Sequence, residues 1–262
     1  MLLYLYLLLA LSAGIAAAVS GAGLLAVCGA FAGAFFGLLL LHLLVLLIAC
    51  LFVNKEKPAE RAFGFYRRLL TLSCELVLKL GRVNVKVEGG EKLPAGRCLF
   101  VQNHVSAFDP VALYPAFSER QLFFVSKKEN LEIPVGGRLM AGAGVLGLDR
   151  ENNRQGVLVM RRAAQLMEGG GTVVIYPEGT RSKTGELGPF RDGCFKAAQW
   201  GSAPVAVVTV HGSGEASRSL FKKKNTIVFR VLRVFEAAGI AEKRTDEISA
   251  MVREIMEKDL NG

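Results

Sequence analysis

The chain has 262 residues, is 52% hydrophobic and carries a net charge of +9. No Lys, Arg, Asp or Glu precedes Lys55, so all 32 basic and 23 acidic residues fall in 55–262, a length suited to one α/β domain. The uncharged leader is too long for a secretory signal and lacks a basic start, so retained membrane structure is expected there. Five scattered cysteines, Cys28, Cys50, Cys74, Cys98 and Cys194, form no CxxC pair, so a metal knuckle is excluded and reduced thiols are expected.

One membrane span needs about 20 apolar residues, and residues 2–53 can supply two, broken near "VSGAG" at 19–23. A single tilted span with a frayed start is the alternative. Ala10, Gly14 and Ala18, and then Gly29, Gly33 and Gly37, recur every fourth residue and would give each helix a smooth stripe for close packing. A membrane-embedded helical hairpin over 1–54 is therefore expected, with His42 as a packing or interfacial residue. Lys55, Lys57, Arg61, Arg67 and Arg68 follow at once, and the positive-inside tendency puts the folded part on the cytoplasmic side.

Residues 55–82 read as a basic amphipathic helix, with Phe63, Tyr66, Leu69, Leu76 and Leu80 at helical spacing. It could lie at the membrane surface or cover a core in the ordinary way. The third segment, 83–262, alternates strand and helix signals. Strands are expected at 83–87, 97–102, 121–126, 144–149, 172–177, 204–210 and 226–235. Helices are expected at "DPVALYPAF", from Asn153 to the glycines at 169–171, at "GCFKAAQWG" and from about Thr245 to Leu260. Apolar strands interleaved with helices predict an α/β fold, a mixed sheet flanked by helices behind the N-terminal hairpin.

Three strand ends carry polar groups of interest. In "QNHVSAFDP" a buried strand stops at Asn103-His104, and Asp109-Pro110 follows with the signature of an N-cap and first helical residue. His104 and Asp109 are five apart and share no helical face, so they meet only if the loop curls back. A carboxylate there would fix the imidazole tautomer and raise the basicity of the other nitrogen, although a satisfied structural His–Asp pair fits the same residues. In "VVIYPEGTRS" Gly179 permits a tight turn, Arg181 offers a planar fork suited to a phosphate, and Glu178 either holds the turn or binds a hydroxyl. "GVLGLDR" ends in Asp149-Arg150. No HExxH or P-loop occurs, and "HGSGE" at 211–215 is only loosely like a nucleophile elbow, so hydrolytic-elbow, zinc and nucleotide-phosphate chemistries lack their residues.

"NHVSAFD", "GVLGLDR", "YPEGTRS" and "APVAVVTVHGS" together resemble, in order and approximate spacing, the four blocks of the glycerolipid acyltransferases with the NHxxxxD motif. The likeness is to the bacterial 1-acyl-sn-glycerol-3-phosphate acyltransferases in particular and covers residues 83–215. The fourth block departs from the pattern, with Val207 where the family usually has a proline. The resemblance implies that His104 acts as general base on the free hydroxyl of a lysophosphatidate and that Asp109 orients it. It implies that Glu178, Gly179, Thr180 and Arg181 hold the glycerol phosphate, with Arg150 adding charge. The acyl donor would be acyl-CoA or acyl carrier protein, with no cofactor, no metal and no acyl-enzyme. Phosphatidate would be the product, in phospholipid biosynthesis at a bacterial inner membrane.

The basic balance suits polyphosphorylated or acidic donors and anionic lipid, with Lys127, Lys128 and the run 222–224 as further candidates. Nucleic acid is not an expected partner, because the basic residues lack interleaved aromatics. Two other readings stay open: an acyltransferase acting on another lysophospholipid or on glycerol 3-phosphate, and a non-catalytic lipid-binding membrane protein. A hydrolase using His104 and Asp109 with water is a further one.

Overall fold

The computed structural model describes residues 2–55, 60, 63–182 and 184–262. Lys57 and Arg61, invoked above for sidedness, and the start of the amphipathic helix before Phe63 lie outside the described residues, apart from Glu60. The leader forms two helices, α1 (Leu2–Val19) and α2 (Leu24–Leu51), joined through Gly21 at φ 81°. Both are long and apolar enough to cross a membrane. Leu8, Leu25, Leu40 and many neighbours are exposed on them, an apolar exterior of the kind that marks membrane association.

The small-residue stripe works on one helix only. Ala10 and Gly14 of α1 are buried, with Gly14 facing Val27 and Phe31 of α2. Gly29, Gly33 and Gly37 have nothing within 4 Å of where a Cβ would stand, so the glycine stripe of α2 faces away from α1, contrary to expectation.

The third helix, α3 (Phe63–Leu80), buries Phe63, Tyr66, Leu69 and Leu76 against the rest of the domain. It also seats the hairpin. The Tyr66 hydroxyl donates to Ala49 O at 3.0 Å, and His42 bridges helices, with Tyr6 Oη 3.3 Å from Nδ1 and Ser73 Oγ 3.0 Å from Nε2.

Beyond α3 lies a seven-stranded sheet of β1 (Val83–Glu88), β2 (Cys98–Gln102), β3 (Leu122–Lys127), β4 (Leu146–Leu148), β5 (Thr172–Ile175), β6 (Val205–His211) and β7 (Asn225–Phe235). The order is β1-β7-β6-β2-β5-β3-β4, parallel at every pairing except β6 with β7. This is the mixed, helix-flanked sheet expected.

Strand β2 is buried on both faces, as a central parallel strand must be. Leu99 and Val101 join the core formed with α6 (Asn153–Glu168), α7 (Lys196–Trp200) and α10 (Thr245–Asn261); Phe100 points the other way, toward Leu113 and Phe117 at α4 (Asp109–Ala116) and Phe229. That alternation covers the sheet on both sides and leaves the ends of its parallel strands for a site.

Short elements depart from the expected pattern. The helix expected over 193–201 is a 3₁₀ turn, Asp192–Phe195, running into α7. A helix α5 (Gly136–Gly142) precedes β4, α8 (Ser213–Arg218) follows β6 and α9 (Ala237–Ile240) precedes α10; the sequence signals had marked none of these. Val207 sits at a register shift between β6 and β7, on a buried strand.

Candidate active site

Strands β2, β3, β4 and β5 run parallel, and their C-terminal ends meet at a cavity of about 970 Å³. Asn103, directly after β2, extends the ladder with its side chain: Nδ2 donates to Val210 O at 3.3 Å and Oδ1 accepts from Val210 N at 2.8 Å. A side-chain amide thus takes the place of one more peptide unit and fixes where the strand stops. His104 is the next residue.

The loop after His104 does curl back. Asp109 Oδ2 lies 2.7 Å from His104 Nδ1 and also accepts the backbone N–H groups of Val105, at 2.9 Å, and Ser106, at 3.0 Å. Asp109 is fully buried and the His104 side chain is 17% exposed. One detail differs from the N-cap expectation. Phe108 is the N-cap, Asp109 is the first helical residue and Pro110 the second. The carboxylate therefore spends itself on the loop behind it and on the imidazole.

An ionised carboxylate can only accept, so Nδ1 carries the hydrogen and Nε2 keeps its lone pair. Among the described residues nothing hydrogen-bonds to Nε2, and His104 forms part of the cavity wall. The ring is stacked on Tyr176 at 4.0 Å between centroids and 18° between planes. Burial, then the charge of Asp109, pushes the Tyr176 phenol well above its usual range, so it stays neutral.

Glu178 holds this arrangement from the neighbouring strand end. It is 5% exposed; Oε1 accepts from His104 N at 2.8 Å and Oε2 from Gly188 N at 2.9 Å, while Ser182 N donates to His104 O at 2.7 Å. Of the two uses open to Glu178, the turn-holding one occupies both of its oxygens. Gly179 adopts φ +67°, and a Cβ there would stand 3.1 Å from Arg191 Nε.

The candidates divide by position. His104, Gly179, Arg181 and Arg150 line the cavity, Asp109 and Glu178 stand behind it, and Thr180 is exposed and forms none of its wall. Lys127 reaches the wall but pairs with Glu129 at 3.0 Å. The run at 222–224 lies at the turn into β7, where Lys223 pairs with Glu215. The rest of the wall is mostly apolar, with Tyr114, Phe124 and Met140 toward α5 and Val157, Met160 and Trp200 toward α6 and α7.

Cys194 also lines the cavity. Burial, followed by the charge of Asp192, pushes its thiol up to about 12, so it is protonated near neutral pH and a poor nucleophile. Asn103 and Arg191 were not singled out as site residues from the sequence. The signal for Asn103 was its place beside His104 in an apolar run; for Arg191 there was none.

A histidine hydrogen-bonded to a buried carboxylate, in a largely apolar cavity lined by three arginines, has the chemistry to take up a proton and to attract an anion. Residues 84–211, just under half of the chain, match the acyltransferase family. The matches include a chloroplastic 1-acyl-sn-glycerol-3-phosphate acyltransferase of Brassica napus, 39% identical over 132 residues (49% of this chain, 38% of the relative). A probable enzyme of the same name from Mycoplasma genitalium is 30% identical over 184 residues, 66% of each chain.

The fold is shared with the crystal structure of the 1-acyl-sn-glycerophosphate acyltransferase of Thermotoga maritima. That likeness has a TM-score of 0.57 at 21% identity and covers 74% of this chain and 80% of that one. The chain spans 38%, 48% and 60% of the length of three of the curated relatives it matches.

Proposed function

We propose that the chain is a membrane-bound 1-acylglycerol-3-phosphate O-acyltransferase. It would transfer an acyl chain from acyl-CoA or acyl carrier protein to the free hydroxyl of 1-acyl-sn-glycerol-3-phosphate, giving phosphatidate. The observation that carries this reading is the His104 imidazole, tied at Nδ1 to buried Asp109 and, among the described residues, unbonded at Nε2, on the wall of a cavity that also holds Arg150 and Arg181. The names of the relatives support the same acceptor.

An alcohol cannot ionise beforehand near neutral pH, so its proton leaves as the bond forms. His104 Nε2 takes that proton while the hydroxyl oxygen attacks the thioester carbonyl carbon. Asp109 holds the imidazole and stabilises its charged form. The tetrahedral adduct then collapses, the C–S bond breaks, and the leaving thiolate takes the proton back from Nε2. The ester, the free thiol and neutral His104 remain, so the balance closes without a cofactor, and the thioester supplies the activation that an acyl-enzyme would otherwise provide.

Arg181 would hold the acceptor's phosphate, and Arg150 would add charge beside it. Glu178 and Gly179 shape the turn that carries Arg181. In this reading 1–54 is the membrane hairpin, 55–82 an interfacial helix and 83–262 the catalytic domain. The basic residues Lys55, Arg67 and Arg68 that follow the hairpin support a domain on the cytoplasmic face, at a bacterial inner membrane in this reading.

The test is transfer by the purified chain in mixed micelles, with lysophosphatidate and radiolabelled acyl-CoA or acyl carrier protein as alternative donors. Labelled phosphatidate is the expected product. Thioester hydrolysis indifferent to added acceptor would make the chain a hydrolase, and retained lipid without transfer from either donor would make it a lipid-binding protein.

A further inference from the structure

A lysophosphatidate carries a phosphate monoester, whereas most other lysophospholipids carry a diester. Near pH 7 the monoester presents three terminal oxygens and a charge of about −1.5 to −2, the diester two oxygens and one charge. A site that separates the two must count charge.

Three arginines reach the cavity from three segments: Arg150 after β4, Arg181 after β5, and Arg191 just before the 3₁₀ turn at Asp192–Phe195. Among the described residues none of the three has a carboxylate within ion-pairing distance. The two carboxylates on the same wall, Asp149 and Asp192, form no ion pair with any of the three among the described residues, and Glu129 acts on Arg150 through its charge without pairing to it.

Arg191 is held in place. Its backbone N–H donates to Pro177 O at 2.8 Å, and its side chain lies across Gly179, where even a methyl group would come 3.1 Å from Nε and 3.3 Å from Cδ. The absent side chain at 179 is what lets a second guanidinium lie against the turn that carries Arg181. Both Arg150 and Arg191 line the same cavity, and burial, then the like charge of Arg191, lowers the Arg150 pKa against the opposing charge of Glu129. Unpartnered cations gathered on a partly apolar wall repel one another, and an anion with several acceptor oxygens relieves that repulsion.

Resting on the function proposed above, we infer that Arg191, together with Arg150, reads the charge of the acceptor headgroup and selects a lysolipid phosphate monoester over phosphodiester lysolipids. Arg181 alone suffices for a single negative charge. Arg191 and Arg150 supply the interactions that only a dianion with a third terminal oxygen can use.

The test compares the full-length wild type with Arg191→Gln and Arg191→Lys, using lysophosphatidate and lysophosphatidylcholine. Transfer kinetics and equilibrium binding in the same micelles are both measured. The expected result for Arg191→Gln is a loss of roughly 10- to 100-fold in lysophosphatidate affinity and in its kcat/KM, carried by KM, the scale of one charge-assisted hydrogen bond. Lysophosphatidylcholine binding should change by less than about threefold, and Arg191→Lys should recover part of the loss, because a point charge keeps attraction without the fork.

An unchanged lysophosphatidate affinity, or an equal loss for both lipids, overturns the inference. Failure of the wild type to acylate either lipid overturns the proposed function instead, and the binding arm still decides the role of Arg191.

Discussion

Asp109 accepts the Nδ1 hydrogen of His104 at 2.7 Å through the same oxygen that takes the Val105 and Ser106 amides. One atom thus closes the loop and sets the imidazole, so the two tasks cannot be separated by mutation at 109. They can be separated at 104. His104→Ala should leave the fold intact, because the Val105 and Ser106 amides still hold Asp109 and the ring stands at the cavity wall, and should lower kcat by roughly 10²- to 10⁴-fold. Asp109→Ala should lower kcat too and also reduce thermal stability, since the one oxygen that serves three donors is lost. Wild-type turnover in a folded His104→Ala enzyme would remove the base from this site.

Arg181 makes the opposite demand on the kinetics. It lines the cavity and is exposed, so its removal leaves no buried group without a partner. Arg181→Ala should therefore raise the acceptor KM by roughly 10- to 100-fold, with a smaller change in kcat and none in the melting temperature. A phosphate-free acceptor such as a monoacylglycerol should show no such penalty, and an unchanged KM for lysophosphatidate would separate Arg181 from the phosphate.

Glu178 distinguishes a positioning role from a binding role. Both carboxylate oxygens accept backbone N–H groups, His104 N at 2.8 Å and Gly188 N at 2.9 Å, and the side chain is 5% exposed. Glu178→Gln replaces one acceptor by an amide NH₂ that would face a backbone N–H, at a cost of about 1–3 kcal/mol in stability. The strand end carrying His104 then loosens, so kcat should fall while acceptor KM holds. A rise in KM alone would mean that Glu178 meets the substrate hydroxyl directly.

How much of this was legible in sequence depended on whether the deciding contact is local. Strand β2 and helix α4 were visible because an apolar run ends at a polar pair and Asp-Pro opens a helix; only the cap position shifted by one residue. Glycine periodicity on α2 marked a face correctly but could not say which neighbour it would meet, and Gly29, Gly33 and Gly37 turn away from α1. The antiparallel sense of β7 was hidden for a similar reason, since a buried strand has the same residue pattern in either direction.

Helix α5 contains two glycines at its start and one at its end in seven residues, so propensity argued against it; buried Leu139 and Ala141 hold it against the hairpin foot. Arg191 was invisible. The tetrapeptide around it is an ordinary loop, and only the fold brings its guanidinium across Gly179.

Outside the cavity wall, the last helix is fastened to the sheet by a polar cluster whose pH dependence has a definite sign. Asp259 of α10 takes Thr209 Oγ1 at 2.6 Å and His211 Nε2 at 2.7 Å on Oδ2, and Arg230 Nη1 at 3.2 Å on Oδ1. Burial opposes ionisation of Asp259, but the hydrogen bonds from Thr209 and His211, the His211 charge and the Arg230 hydrogen bond outweigh it and hold its pKa below the usual carboxylate value. A carboxylate depressed in the folded state contributes stability above its unfolded pKa of about 3.9, and that contribution is lost as the pH falls through the folded value. Asp259→Asn should therefore lower the melting temperature most at pH 6–7, and the gap to wild type should close as the pH drops below about 4. Because the cluster lies outside the cavity wall, acceptor KM should stay unchanged in the variant. A gap that widened toward acid would show that Asp259 is bound in its protonated form, reversing the sign of its contribution.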